Sequence, residues 1–146
     1  MPKIEISEMT MADYDAMYAL LSATPGIGLR LADSHEGIER YLARNPGLSF
    51  VARSEGRIVG CVMSGHDGRR GYLQHLAVDP AFRLQGIGRA LIERCLERLQ
   101  AEGIEKTHLD ILAGNFPAHR YWTKLGWKKR DDIVRYSFTK SDLDNL

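Results

Sequence analysis

Leu76-Ala77-Val78-Asp79-Pro80-Ala81-Phe82-Arg83-Leu84-Gln85-Gly86-Ile87-Gly88-Arg89-Ala90-Leu91 reads as the end of a β-strand, a tight loop and the first turn of a helix. The N–H groups of a helix's first turn have no intrahelical partner and point out along its axis. Together with the helix dipole they attract an anion, phosphate above all. Gly86 and Gly88 remove side chains that would hold a phosphate away from that backbone. The stretch is therefore read as a cradle for a phosphorylated cofactor, set between a strand and a helix of an α/β protein.

The rest of the chain fits such a protein. Ile4 and Ile6 alternate with polar neighbours and predict a first strand over 3–7. Thr10 and Asp13 open a helix whose apolar face is Tyr14, Met17, Tyr18 and Leu21, at helical spacing. A glycine-containing loop follows over 23–33, and Ile38, Tyr41 and Leu42 mark a second helix that stops before Asn45-Pro46. Strands are predicted over Leu48–Arg53 and Arg57–Gly65, joined by a turn at Ser54-Glu55-Gly56, and again over Tyr72–Val78. The apolar stripe Ile87, Leu91, Ile92, Cys95, Leu96 and Leu99 predicts a long helix that Gly103 closes. Thr107–Leu112 is expected as a strand, Asn115 as the cap of a helix ending at Gly126, and Trp127–Lys129 with Ile133–Thr139 as a final hairpin.

At 146 residues the chain has the length of one ordinary domain. A net charge of +1 argues against a broad nucleic-acid-binding face. No apolar run approaches the ~20 residues of a membrane span, and the N-terminal residues lack a signal-peptide core, so a cytoplasmic protein with no membrane partner is expected. Cys61 and Cys95 have neither disulfide-framework nor metal-ligand spacing, and both fall on apolar faces. No metal site is expected.

Which phosphorylated ligand the cradle takes follows from spacing. A nucleoside-triphosphate loop needs Gly-Lys-Ser/Thr, whereas Gly88 is followed by Arg89-Ala90, which excludes it. A dinucleotide fingerprint needs glycines directly at the strand end and a third small residue at a fixed offset. Here the loop Asp79–Gln85 is too long and Ala90 is misplaced, while Asp110, at a superficially suitable distance, is expected in mid-strand. That reading is disfavoured.

Arg83-x-x-Gly86-x-Gly88 behind Leu76-Ala77-Val78-Asp79-Pro80 resembles the acetyl-CoA motif of the GNAT N-acetyltransferase superfamily. Asn115-x-x-Ala118-x-x-x-Trp122-x-x-x-Gly126-Trp127 is similar to that superfamily's second signature, at its usual separation. The element order over 3–139 agrees as well. The resemblance implies one N-acetyltransferase domain over residues 1–146, with its core over about 3–139. It also implies an α/β GNAT-like fold: a mixed sheet of about seven strands flanked by about four helices, with splayed fourth and fifth strands.

Carried over residue by residue, the resemblance implies acetyl-CoA as cosubstrate, its pantetheine arm against the backbone of Leu76, Ala77 and Val78. Its pyrophosphate would lie on the amides of Leu84, Gln85, Gly86, Ile87, Gly88, Arg89 and Ala90, with charge from Arg83 and Arg89. Asn115 would cap its helix and contact the cofactor. Trp122 stands where relatives have a tyrosine acid; indole donates no useful proton at neutral pH, and neighbouring Tyr121 is a substitute only if the helix is rotated.

For the base, Gln74 occupies a position where many relatives carry Glu. It cannot titrate and could at most orient a water. Asp110, between Leu109 and Ile111, is expected partly buried, the setting in which a carboxyl serves as a base near neutral pH. His75 is expected to face away from Gln74 by alternation and to pack rather than react. A Val78 N–H would stabilise the oxyanion. Direct transfer of the acetyl group to a primary amine, of a small molecule or of a protein or peptide, is then the expected reaction. The alternative is a CoA-binding sensor without chemistry. Arg30, Asp33, His35 and Glu36 in the early loop receive no role, and a homodimer is compatible with the family.

Overall fold

The computed structural model describes residues 3–140. The ends of the expected 1–146 domain, residues 1–2 and 141–146, lie outside them. The chain forms two compact units, Met1–Leu109 and Asp110–Leu146.

The first unit is a sheet with helices on both faces. Strands β1 (Ile4–Glu8), β2 (Phe50–Ser54), β3 (Arg57–His66), β4 (Gly71–Val78) and β5 (Thr107–His108) lie in the order β1-β2-β3-β4-β5. The first four pair antiparallel and β5 joins β4 in parallel, so the sheet is mixed. The β2–β3 hairpin closes on Glu55 (φ 51°) and Gly56 (φ 78°), the two left-handed residues that a tight hairpin turn with matching twist requires.

Helices α1 (Tyr14–Ser22) and α2 (His35–Arg44) cover one face. There Met17, Leu21 and Ile38 are buried against Val51, Cys61, Met63 and Ala77. Asp13 holds the entry to α1: its carboxylate accepts the Thr10 N–H at 2.9 Å and pairs with Arg53 of β2 at 2.6 Å. Helix α3 (Ile87–Ala101) covers the other face with Ile87, Leu91, Ile92, Cys95 and Leu99, all buried. Gly103 (φ 86°) ends it, as its position after the stripe predicts.

In the second unit Asn115 caps α4 (Phe116–Lys124), accepting the Ala118 N–H at 3.3 Å. Among the described residues there are thus four α-helices and five strands, not about seven. The expected strand Thr107–Leu112 is paired over Thr107–His108 alone, and the expected hairpin of Trp127–Lys129 and Ile133–Thr139 carries no strand pairing. A strand exists through the edge it pairs with, and Ile133, Val134, Tyr136 and Phe138 stand 56–94% exposed. Among the described residues no helix is long and apolar enough to cross a membrane.

Two irregularities in β4 position the site. Its ladder with β5 ends after Gly71↔Thr107 and Tyr72↔His108, so Leu73–Val78 pair with β3 alone. Its register with β3 also slips, from Met63↔Gln74 to Cys61↔Ala77, placing His75 and Leu76 opposite the single residue Val62. This is a β-bulge, and His75 carries it with φ 52°.

Candidate active site

The loop from β4 to α3 is held open by its own contacts. The Asp79 carboxylate accepts the Ala81 N–H at 2.9 Å and starts a 3₁₀ turn over Pro80–Phe82, while Arg57 lies 3.5 Å from Asp79 and over the Phe82 ring. Leu84 (φ 64°) is fully exposed and Gly86 (φ 79°) serves as the N-cap of α3. A Cβ added at Gly86 would meet nothing within 4 Å. Its role is therefore the left-handed backbone, with free space in front of it. The first turn closes with the Ala90 N–H on the Gly86 carbonyl at 3.0 Å, which corrects the expected row of amides at Ala90, and helix geometry leaves the N–H groups of Ile87, Gly88 and Arg89 without intrahelical partners. No acidic residue stands in that first turn. The two expected cations differ from one another. Arg83 turns its Nε back onto the Val78 carbonyl at 3.2 Å, whereas Arg89 forms an exposed pair with Glu93 at 3.1 Å, an ordinary surface contact.

The strand edge is just as specific. The Asp79 N–H bonds the Val59 carbonyl at 2.8 Å, so Asp79 and Val59 are a hydrogen-bonded pair. By the alternation of an antiparallel ladder Val78, opposite Gly60, turns its N–H and C=O away from β3, and Ala77, opposite Cys61, turns its own toward β3. Arg83 takes the Val78 carbonyl; the Val78 N–H faces the side where β4 has no paired strand. Ala77 is thereby corrected from the expected row of backbone ligands: its peptide groups belong to the ladder. At the bulge, His75 and Leu76 fall between the paired residues Gln74 and Ala77 and lack ladder partners of their own.

The bulge also reverses the orientation expected for His75. Gln74 is exposed on β4. Instead of facing away from Gln74, the His75 ring reaches the α1–α2 connection, where Nε2 lies 2.8 Å from Asp33 Oδ1. The side chains are 16% and 11% exposed. The second oxygen of Asp33 accepts the Arg30 N–H at 2.9 Å, and its carbonyl accepts the Tyr14 hydroxyl at 2.7 Å. Burial pushes the Asp33 carboxyl up, but the bonds from His75 and Arg30 outweigh it and hold the group below its ordinary value. Sequence reading misses this pair because alternation cannot see a bulge, and a loop aspartate carries no mark of the strand it will meet. Three residues sharing one ladder gap are visible only once the register is known.

The second unit carries the remaining expected residues. Asp110 is not a partly buried strand residue: it follows the end of β5, its side chain is 72% exposed, and Arg135 lies 2.6 Å from it. Asn115 uses Oδ1 as the cap, which leaves its amide nitrogen outside that bond. Tyr121 and Trp122 pack edge to face at 5.4 Å, and Trp122 meets Trp127 at 4.9 Å, so the indole is one member of an aromatic row. Cys61 and Cys95 are buried, as their apolar positions predict, and burial pushes their thiols up to about 12 and about 11.

Residues 14–127 match the model of the "Acetyltransferase (GNAT) family". An acetyltransferase of Pectobacterium atrosepticum is 42% identical over 102 residues, covering 70% of this chain and 72% of that protein. Among solved structures, the PaiA N-acetyltransferase of Thermoplasma acidophilum in complex with coenzyme A superposes with a TM-score of 0.77 at 18% identity, covering 90% of this chain and 93% of that one. An aminoglycoside N-acetyltransferase in complex with CoA gives 0.75 at 19% identity, with 94% and 96% covered.

Proposed function

The chain belongs to the acetyltransferase (GNAT) family and is an acetyl-CoA-dependent N-acetyltransferase, and from that premise we propose that it moves the acetyl group directly to a primary amine with both substrates bound together. The observation that carries this reading is the continuity of the cradle with the strand edge. The amides of Leu84 through Arg89 stand around the free space in front of Gly86, and the Val78 N–H of the same connection faces the unpaired side of β4.

In this reading the pyrophosphate lies on the α3 N-terminus, where amides and dipole favour an anion. The pantetheine arm runs along β4 and meets the peptide groups that no strand satisfies. The thioester oxygen takes the Val78 N–H, which stabilises the charge that develops on it as the amine attacks. Holding thioester and amine in one place supplies much of the acceleration. Gln74, exposed beside the bulge, can orient the acceptor or a water but cannot take a proton.

Acetyl-CoA should raise the melting temperature, since a ligand at 100 times its Kd stabilises by about 2.7 kcal/mol. Thiol release should then depend on an added amine. Absence of a thermal shift at millimolar acetyl-CoA contradicts the reading, and binding without turnover of any amine would instead leave a CoA-binding module.

A further inference from the structure

An amine acceptor is protonated near neutral pH and must lose a proton before it can attack. Gln74 cannot take it, and Asp110 is exposed against Arg135. We infer that His75 is the general base of the transfer, receiving the acceptor's proton on Nδ1, with Asp33 as the residue that positions it. The inference rests on the acetyltransferase reading above.

The geometry carries it in three ways. The Asp33 carboxylate, held ionised, can only accept a hydrogen bond, so Nε2 is the donor of this pair and Nδ1 is the ring nitrogen outside it. The left-handed His75 stands at the bulge, where it and Leu76 share one opposing residue of β3, three residues before Val78. A non-glycine residue in that conformation costs energy, of the kind that persists where the surroundings fix it. Finally, the ring is enclosed without being sealed, with 16% of the side chain accessible.

The step balances without a further reagent. The ammonium proton passes to Nδ1, and the freed nitrogen pair forms the C–N bond as the carbonyl pair moves onto oxygen. Collapse re-forms the carbonyl and breaks the C–S bond, the electron pair leaving on sulfur. The second proton, from the new amide nitrogen, goes to that thiolate, and His75 returns the first to solvent.

The titratable groups tied to the pair come from α1, α2 and β3. Besides Asp33 there is Tyr14 on α1, whose hydroxyl bonds the Asp33 carbonyl and which burial pushes up. Tyr18 and Asp15 of the same helix act on Tyr14, and His35 of α2 meets its ring edge-on at 5.0 Å. From β3, Cys61 Sγ lies 3.5 Å from the His75 carbonyl and stays protonated.

The test uses the full chain with acetyl-CoA and three acceptors: a tripeptide with a free N-terminus, lysine, and an aminoglycoside, with water as acceptor where no amine reacts. His75→Gln keeps a donor for Asp33 and removes the base. It should lower kcat about 100-fold or more and abolish the acidic limb of the pH–rate profile, with acetyl-CoA affinity within about twofold of the native protein. Asp33→Asn should displace that limb, because the ring loses its charged partner. This variant decides the matter if His75→Gln does not fold. A His75→Gln rate within about threefold of native with the limb in place overturns the inference. So does an Asp33→Asn protein in which acceptor KM changes while the limb stays fixed, the behaviour of a purely structural pin. Failure of the native protein to bind acetyl-CoA is a different result and overturns the underlying reading instead.

Discussion

Gly60 of β3 faces Ile87, the first residue of α3, so closely that a Cβ on Gly60 would stand 3.2 Å from Ile87 Cγ2 and 3.3 Å from Leu91 Cδ1. The missing side chain sets how near the N-terminal end of α3 lies to the sheet. Gly60→Val should therefore cost about 1–3 kcal/mol by overpacking and shift the first turn of α3 outward. Urea unfolding and calorimetric titration with acetyl-CoA check the pair of effects: lower stability and weaker binding together. Native-like affinity in a destabilised protein would separate the packing from the cradle.

Gly56 and Gly86 form a matched pair. Both have φ near 79° and neither has an atom within 4 Å of an added Cβ, so alanine at either position meets the same backbone penalty, about 1 kcal/mol. Gly56→Ala should lower the melting temperature and leave acetyl-CoA binding alone. Gly86→Ala should lower both, because its methyl group enters the space in front of the amides. Equal affinities in the two variants would remove Gly86 from the binding surface.

Asp33 makes stability depend on acid. Its carboxyl titrates below its ordinary value of 3.8 in the folded chain, so the stabilisation is complete above the unfolded value and is lost as pH falls through the lower, folded one. Native protein and Asp33→Asn should therefore differ in unfolding free energy at pH 6 and converge as the pH is lowered well below 4. Denaturant melts across that range show it; parallel curves would contradict the bond from His75.

The buried thiols should be chemically silent. Burial pushes Cys61 up to about 12 and Cys95 up to about 11, and both side chains are shut from solvent. An aromatic disulfide reagent at pH 8 should detect no protein thiol in the native state and two in denaturant. The same silence lets released CoA be followed with that reagent without background from the enzyme.

Legibility of the sequence divided along physical lines. Local signals held: the α3 stripe, the Gly103 terminus, the Asn115 cap and the Glu55-Gly56 hairpin all rest on neighbouring residues and appear where spacing puts them. Properties that depend on a partner did not transfer. Asp110 looked shielded between two apolar neighbours, yet no strand continues there to bury it. Ile133–Thr139 alternates like a strand and has no paired edge. His75 and Asp33 lie 42 residues apart, and one extra residue in the β4 register decides that they meet. The start of α3 was readable because glycine supplies the left-handed backbone there; the His75–Asp33 contact was not, because a histidine in a strand pattern carries no sign of a bulge.

The loop between β4 and α3 has a further consequence at Leu84, a fully exposed apolar side chain at the tip of an open connection. Such tips are where proteases cut first, because the chain can be drawn out locally without unfolding the core. A bound cofactor would lie across the amides on either side of it. The lifetime of the chain in a protease-rich environment would then rise and fall with the supply of acetyl-CoA, so that cofactor scarcity thins the population of the enzyme as well as slowing it.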